Sequence, residues 1–399
     1  MFRVITLQQA HEKIHELWKN PKTKWIRLEE GLGKVLAREV RARVDFPPFD
    51  RAAVDGYAVR AVDTFEADEE TPVELKNLGL VRAGESTNKI VRKGTCLRIE
   101  TGALMPRGSN AVVPVEFTDG EGFVKVYRSV AVGENVIKRG SRLRKGEKIA
   151  EEYQEITSDL IGILAAGGAE KVEVFVPPKV GILSTGNELV PLGKRISKGK
   201  VFDINGPMLS SAVKELGCEV TFLGIAHDKP DALKAKIEEG LRNCDVLIVT
   251  GGTSAGIGDL LPSSISPIFH GLATKPGKPT LFAMVKGKPV FGLPGNPLSS
   301  FLLFWELVAP HLLRMSGRQL RRETIEATLS VDLTSERGRE EFIPVRLHRQ
   351  KGRIEAEPIR MGSDAITVLR LADGYIDVPL EVERMRAGER VKVKLLARR

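Results

Sequence analysis

The spacing of apolar residues changes several times along this chain, and each change marks a boundary. Leu7, Ala10, Ile14 and Leu17 fall three and four apart, which predicts an amphipathic helix. Thr6 followed by Gln9 supplies a capping box at its start. A second short helix is expected over 32–39. From residue 45 to about 137 the period shortens to two, and turn signals such as Arg107-Gly108-Ser109-Asn110 and Asp119-Gly120 punctuate it. That pattern predicts a β-rich region. A further turn-rich stretch over 138–176 carries a helix near 158–166, ended by Gly167-Gly168. Pro177-Pro178 closes it.

The next segment alternates strands and helices. Strands are expected at 179–183, 220–225, 246–249 and 289–291. Helices are expected at 207–217, from 230 to about 240, and after Pro297. Pro207, Pro230 and Pro297 each sit where a first helical turn tolerates proline. A strand–helix succession of this kind predicts a parallel α/β sheet. From residue 322 short alternating strands return, which predicts a small terminal β-domain.

Three strand-end loops in the α/β segment carry candidate chemistry. Asp245-Val-Leu-Ile-Val-Thr-Gly-Gly-Thr-Ser-Ala-Gly-Ile-Gly-Asp259 is an apolar run, a loop of small residues and then a carboxylate. Gly251 and Gly252, with Gly256 further along, permit close backbone approach. Exposed N–H groups with the Thr253 and Ser254 hydroxyls can hold an anion such as phosphate. Val180-Gly-Ile-Leu-Ser-Thr-Gly-Asn-Glu188 repeats that logic. Val290-Phe-Gly-Leu-Pro-Gly-Asn-Pro-Leu-Ser-Ser300 leads into a helix that Asn296 can cap and Pro297 can start. Gly295 and Ser299 belong to the same turn. Loops at the carboxyl ends of successive parallel strands converge on one crevice. Lys275-Pro-Gly-Lys-Pro279 adds the ammonium groups of Lys275 and Lys278. Glu188, Asp228 and Asp259 would crowd an anion site unless a divalent cation such as magnesium joins them or some accept hydrogen bonds from a polar heterocycle. For Asp228 a helix N-cap before Pro230 is the other reading.

In the β-rich region, Phe46-Pro-Pro-Phe-Asp-Arg-Ala-Ala-Val-Asp-Gly-Tyr57 presents Asp50, Arg51 and Asp55 close together, either as a functional loop or as an Asp-Gly turn with a structural salt bridge. Arg98-Ile-Glu-Thr-Gly-Ala-Leu-Met-Pro106 sets Glu100 and Thr101 beside a glycine.

Composition narrows the function classes. With 399 residues, 42% hydrophobic and 28% charged, about three domains of an ordinary globular protein are expected. No stretch suits a membrane span, and the N-terminal segment has no signal-peptide core, so a cytoplasmic location is expected. Cys96, Cys218 and Cys244 have no metal or disulfide spacing. The net charge of +9 is dispersed, and even the densest run, 138–148, is broken by Gly140, Gly146 and Glu147. That disfavours nucleic acid and suits a small anionic substrate. His11-Glu-Lys-Ile-His15 matches a zinc-protease pattern, yet on a terminal amphipathic helix it reads as a solvated face.

Taken together these motifs resemble the molybdopterin molybdenumtransferases, the MoeA and gephyrin E-domain family. PPFDRAAVDGYAVR (47–60), ETGALMP (100–106), GILSTGNELV (181–190), TGGTSAGIGD (250–259), KPGKP (275–279) and GLPGNPLSSF (292–301) occur in the family's order. The resemblance implies a multidomain α/β plus β fold. A discontinuous linker domain would span 1–44 and 138–177, a β-rich domain 45–137, a molybdopterin-binding α/β domain with a parallel sheet 178–318, and a C-terminal β-barrel-like domain 319–399. It implies a homodimer that hydrolyses adenylylated molybdopterin, releases AMP and inserts molybdate or tungstate at the dithiolene. The adenylyltransferase and apo-molybdoenzymes are further implied partners. The functional positions it implies are Asp55, Thr101, Glu188, Asp228 and Asp259, with magnesium at Glu188 and Asp259 and with Pro294 and Pro297 shaping the third loop. Ile204-Asn205 stands where many relatives have Ser-Asn, so Asp203 and Asn205 receive no role. The alternatives are a molybdopterin adenylyltransferase and a non-catalytic pterin carrier or scaffold.

Overall fold

The computed structural model describes residues 4–253, 260–350, 352–360, 362 and 365–396. The chain forms two compact units, one of residues 1–24 and 175–399 and one of residues 25–174.

The first unit is built on a six-stranded sheet in the order Val220–Ala226, Val180–Thr185, Val246–Thr250, Lys288–Leu293, Leu281–Val285, Phe269–His270. The first four strands are parallel, as the alternating pattern predicts. Leu281–Val285 pairs antiparallel with Lys288–Leu293, and Phe269–His270 pairs antiparallel with Leu281–Val285. A hairpin at Lys286-Gly287 joins Leu281–Val285 to Lys288–Leu293, and both turn residues have positive φ (52° and 74°), a conformation glycine adopts readily.

Every residue of Val180–Thr185 and Val246–Thr250 is buried, because helices cover both faces. Leu209, Ala212 and Val213 of helix Asn205–Glu215 pack with Ile182 and Ile248 on one face. Leu233, Ile237 and Leu241 of helix Pro230–Asn243 pack with Leu183, Leu247 and Val249 on the other. The predicted helix at 207–217 starts earlier, at Asn205, so Pro207 lies within its first turn rather than at its first position. The helix after Pro297 runs on through a π turn at Phe304–Val308 into Ala309–Met315.

The N-terminal helix Leu7–Leu17 has the expected capping box and adds Leu7, Ala10 and Ile14 to the core beneath that long helix. Its polar face corrects the expectation of a solvated zinc-like motif. His15 is exposed, but His11 is half-buried and its Nδ1 lies 3.0 Å from Nε2 of buried His311. Burial pushes both imidazoles below the ordinary histidine range, and His311, further opposed by charge on His11 and Arg314, is held at about 3. His311 is therefore neutral in the folded chain down to about pH 3, whereas in the unfolded chain it takes up a proton below about pH 6.5. Stability is thus unaffected above that pH and is lost as pH falls from there toward the folded pKa, by about 1.4 kcal/mol per pH unit for each proton. Urea melts between pH 7 and 4 should show this loss, reduced in His311→Gln; equal slopes in the two proteins would disprove it.

The C-terminal strands Glu340–Gln350, Arg353–Pro358, Thr324–Leu329, Arg390–Leu395 and Gly374–Val378 pair in that order, and the last returns to the first, closing a five-stranded barrel. In the second unit, six strands pair in the order Ala111–Pro114, Gly56–Val59, Thr95–Ile99, Val73–Val81, Phe123–Val126, Thr118–Asp119. Helix Ser158–Ala166 sits where expected, and Gly168 leaves it with φ 78°. The expected helix at 32–39 is absent. Gly33 turns there with φ 72°, and Val35 and Leu36 form bridges to Glu155 and Val174, burying both side chains. Among the described residues no helix is long and apolar enough to cross a membrane.

Candidate active site

The sheet's strand order turns at the Val180–Thr185 strand: the chain crosses from there to Val220–Ala226 on one side, then to Val246–Thr250 on the other. Such a reversal leaves a crevice at the strands' carboxyl ends. Ser184 is in register with Thr250, and Thr250 with Leu293, so three strands end at one level. Their loops wall a cleft of about 690 Å³. Glu188, Asp228, Gly251, Gly252, Thr253, Pro294, Gly295, Asn296 and Pro297 all line it, together with Ser184, Thr185, Asp203, Asn205 and Thr250.

Local chemistry explains how the loops approach so closely. Gly251 and Gly252 have φ of 89° and 62°. A Cβ on Gly251 would lie 2.4 Å from the Thr185 carbonyl oxygen and one on Gly295 would lie 3.7 Å from the Gly251 Cα, so only glycine fits at 251. Thr253 is buried, and its carbonyl accepts a hydrogen bond from His270 Nε2 at 2.7 Å. Asp203 is buried beside the cleft and accepts from Ser184 Oγ at 2.8 Å and from the Gly206 N–H at 3.0 Å. Asp228 is not the helix cap: the cap position is Lys229, without a side-chain bond. Instead Asp228 and Asn187 pair reciprocally, each backbone N–H donating to the other's side-chain oxygen at 3.2 Å.

Several sequence expectations change. The Asn296 side chain makes no capping bond; its carbonyl accepts from the Ser300 N–H at 2.9 Å, and Ser299 is buried in the helix that follows. Lys275 is not among the cleft-lining residues. Thr274–Lys275 pairs with the strand Glu340–Gln350, which puts the ammonium 3.2 Å from Glu341 and 3.4 Å from Glu336. Burial opposes its charge, but those carboxylates outweigh it and hold its pKa above the ordinary lysine value. Lys278 is likewise not among the lining residues, whereas its neighbour Pro279 is. Ser254, Gly256 and Asp259 lie outside the described residues. The sequence reading overlooked Ser184, Thr185 and Thr250, although each stands directly before or within the strand-end Thr-Gly signal.

Asp55 and Thr101 lie in the other compact unit and are joined directly. Asp55 Oδ1 accepts from the Thr101 N–H at 2.6 Å and from Thr101 Oγ1 at 2.7 Å. Those two donors, the hydroxyl foremost, hold its carboxyl below the usual range. Asp50 takes the structural salt bridge, to Lys138 Nζ at 2.8 Å, while Arg139 pairs with Asp45 at 2.7 Å. The first two cations of the dense basic run are therefore pinned to acidic neighbours.

Comparison with known proteins agrees with this geometry. The chain matches the family model of the MoeA N-terminal region (domains I and II) over residues 5–168, that of a probable molybdopterin binding domain over 181–314, and that of the MoeA C-terminal region (domain IV) over 326–396. The whole cleft falls within the second match. It is 36% identical to a putative molybdopterin biosynthesis protein of Methanocaldococcus jannaschii, covering 96% of this chain and 95% of that protein. It is 31% identical to the molybdopterin molybdenumtransferase of Bacillus subtilis, covering 98% and 94%. Two solved MoeA structures from Pyrococcus horikoshii superpose with TM-scores of 0.85 and 0.72, at 40% and 32% identity; each covers 98% of this chain, and the match spans 99% and 100% of those chains.

Proposed function

The chain belongs to the MoeA family of molybdopterin molybdenumtransferases and serves molybdenum cofactor biosynthesis, and from that premise we propose that it hydrolyses adenylylated molybdopterin and inserts molybdate into the dithiolene, releasing AMP. Water cleaves the phosphoanhydride, leaving AMP and the phosphate of the pterin. The observation that carries the reading is the convergence of three loops, from strands ending at one level, on a single cleft. Backbone N–H groups at Gly252 and Gly295, with Thr253, would hold phosphate; Gly251, whose N–H donates to the Leu293 carbonyl at 3.0 Å, would shape the loop, and the 294–297 turn would close the third side. Ser254 and Gly256 are proposed to extend the same phosphate-binding loop.

Magnesium fits the donor chemistry. Glu188 and Asp228 offer hard carboxylate oxygens to the cleft, and magnesium takes one or two such groups together with phosphate oxygens. We assign it to Glu188 with Asp259, where it would supply Lewis acidity and a template at the pyrophosphate. The cation so held would offset both the carboxylates and the phosphate charge that the glycine loops alone could not balance. Asp228, locked to Asn187, would orient the first loop against the ligand. Asp55 and Thr101 are proposed to act on the same reaction from the β-rich unit, in a cytoplasmic homodimer. Lys275 and Lys278 are proposed to offset anionic charge from beside the cleft, which their neighbour Pro279 lines. Tungstate, a tetrahedral dianion of similar size, would enter as molybdate does.

The test is to incubate the purified chain with adenylylated molybdopterin, molybdate and magnesium. AMP and metal-loaded pterin should appear together, and chelation should stop both. Release of pyrophosphate from ATP with free molybdopterin, or binding without turnover, would replace this reading with an adenylyltransferase or a carrier.

A further inference from the structure

Asn205 opens the helix that floors one side of the cleft, and its side chain is buried. Both hydrogens of its amide are committed: Nδ2 donates to Thr250 Oγ1 at 2.7 Å and to the Gly295 carbonyl at 2.7 Å. One side chain thus ties the ends of the second and third loops together. The Gly295 carbonyl also fixes which way the amide lies, since an oxygen placed there would face an oxygen. The remaining atom, Oδ1, is buried and has no hydrogen-bond partner among the described residues. A buried acceptor left unsatisfied is costly, and such groups need an explanation. Asn205 is one of the residues that line the cleft, so a donor that arrives with the ligand supplies the explanation.

We propose that Asn205 Oδ1 accepts a hydrogen bond from the N–H edge of the bound pterin and so selects the pterin half of the substrate. This rests on the reading that adenylylated molybdopterin is the substrate. A pterin carries ring and exocyclic N–H donors side by side, and a neutral amide oxygen rewards such an edge without adding charge to a cleft that already holds Glu188 and Asp228. Neither phosphate nor molybdate dianion offers a donor to this oxygen.

The test measures binding of molybdopterin and of AMP, separately, to the full-length protein and to Asn205→Ala. Molybdopterin affinity should fall by roughly tenfold or more, the scale of one buried neutral hydrogen bond, while AMP affinity stays within about twofold. Retained AMP binding doubles as the check on folding, and Asn205→Ser should show the same split if the alanine variant is unstable. Unchanged molybdopterin binding overturns the inference, and so does an equal loss for both ligands, which would mean only that the tied loops had come apart. If the wild-type protein binds no molybdopterin, both the inference and the substrate assignment fall; if it binds and Asn205→Ala binds equally, only the inference does.

Discussion

Replacing Glu188 with alanine should slow AMP release by two to three orders of magnitude while leaving the melting temperature unchanged. The side chain is exposed at the cleft rim, so its loss opens no core cavity. Its carboxylate folds back over Gly186, where an added Cβ would lie 2.6 Å from Oε1. The missing side chain at 186 is thus what lets the charge sit against the loop. Removing one preorganised group that stabilises developing charge typically costs about 10²–10³ in rate. If the group acts through magnesium, part of the loss should return at higher magnesium concentration, because weakened binding is offset by mass action. A variant within threefold of the wild type at every magnesium level would show that this carboxylate carries neither metal nor charge stabilisation.

What was legible in the sequence follows from how local each signal is. The parallel strands Val180–Thr185, Val246–Thr250 and Lys288–Leu293 were readable because burial on both faces leaves largely apolar runs, and Gly or Pro after each marks where it stops. The helix over 158–166 was readable from its own ending glycines. The antiparallel hairpin was missed, although Lys286-Gly287 between two apolar runs is its turn signal. The false helix at 32–39 had acceptable spacing, but Val35 and Leu36 bridge to residues more than a hundred positions away, and tertiary pairing overrode propensity. In the site, residues on strand-end loops could be found one loop at a time. The tie made by Asn205 could not, since its partners Thr250 and Gly295 lie 45 and 90 residues off. The ion pairs of Lys275 were out of reach for the same reason: Glu336 and Glu341 lie 61 and 66 residues off, at the start of a barrel that the motif around Lys275 does not announce.

The largest single loss of stability should come from Lys394→Met. In the first unit, Lys394 Nζ reaches from the barrel to Glu306 Oε2 at 2.9 Å and Asp377 Oδ2 at 2.5 Å. Tyr375 donates its hydroxyl to Glu306, Arg322 donates to Tyr375, and the Arg322 guanidinium lies 4.6 Å from the Trp305 ring centre. Glu306 belongs to the long helix behind the third loop, so the network fastens barrel to α/β core. Burial opposes the Lys394 charge, yet Glu306 and Asp377 outweigh it and raise its pKa. Burial and the charge on Glu306 push the Asp377 carboxyl up, against the pull of Lys394. Removing the lysine leaves two largely buried carboxylates facing each other with only Arg322, held on Tyr375, as a nearby cation, a change that costs up to about 3–5 kcal/mol. Because a raised lysine pKa contributes stability in full below the unfolded value of about 10.4 and loses it only as pH climbs through the folded value, the deficit should be constant across neutral pH and shrink in strong alkali. Adding Glu306→Leu and Asp377→Leu to Lys394→Met should recover most of the loss, since removing a whole buried ionic group is often nearly neutral whereas breaking one is not. Urea denaturation of the single and triple variants decides it: a single-variant cost under about 1 kcal/mol would mean that the network is hydrated and contributes no more than an exposed pair.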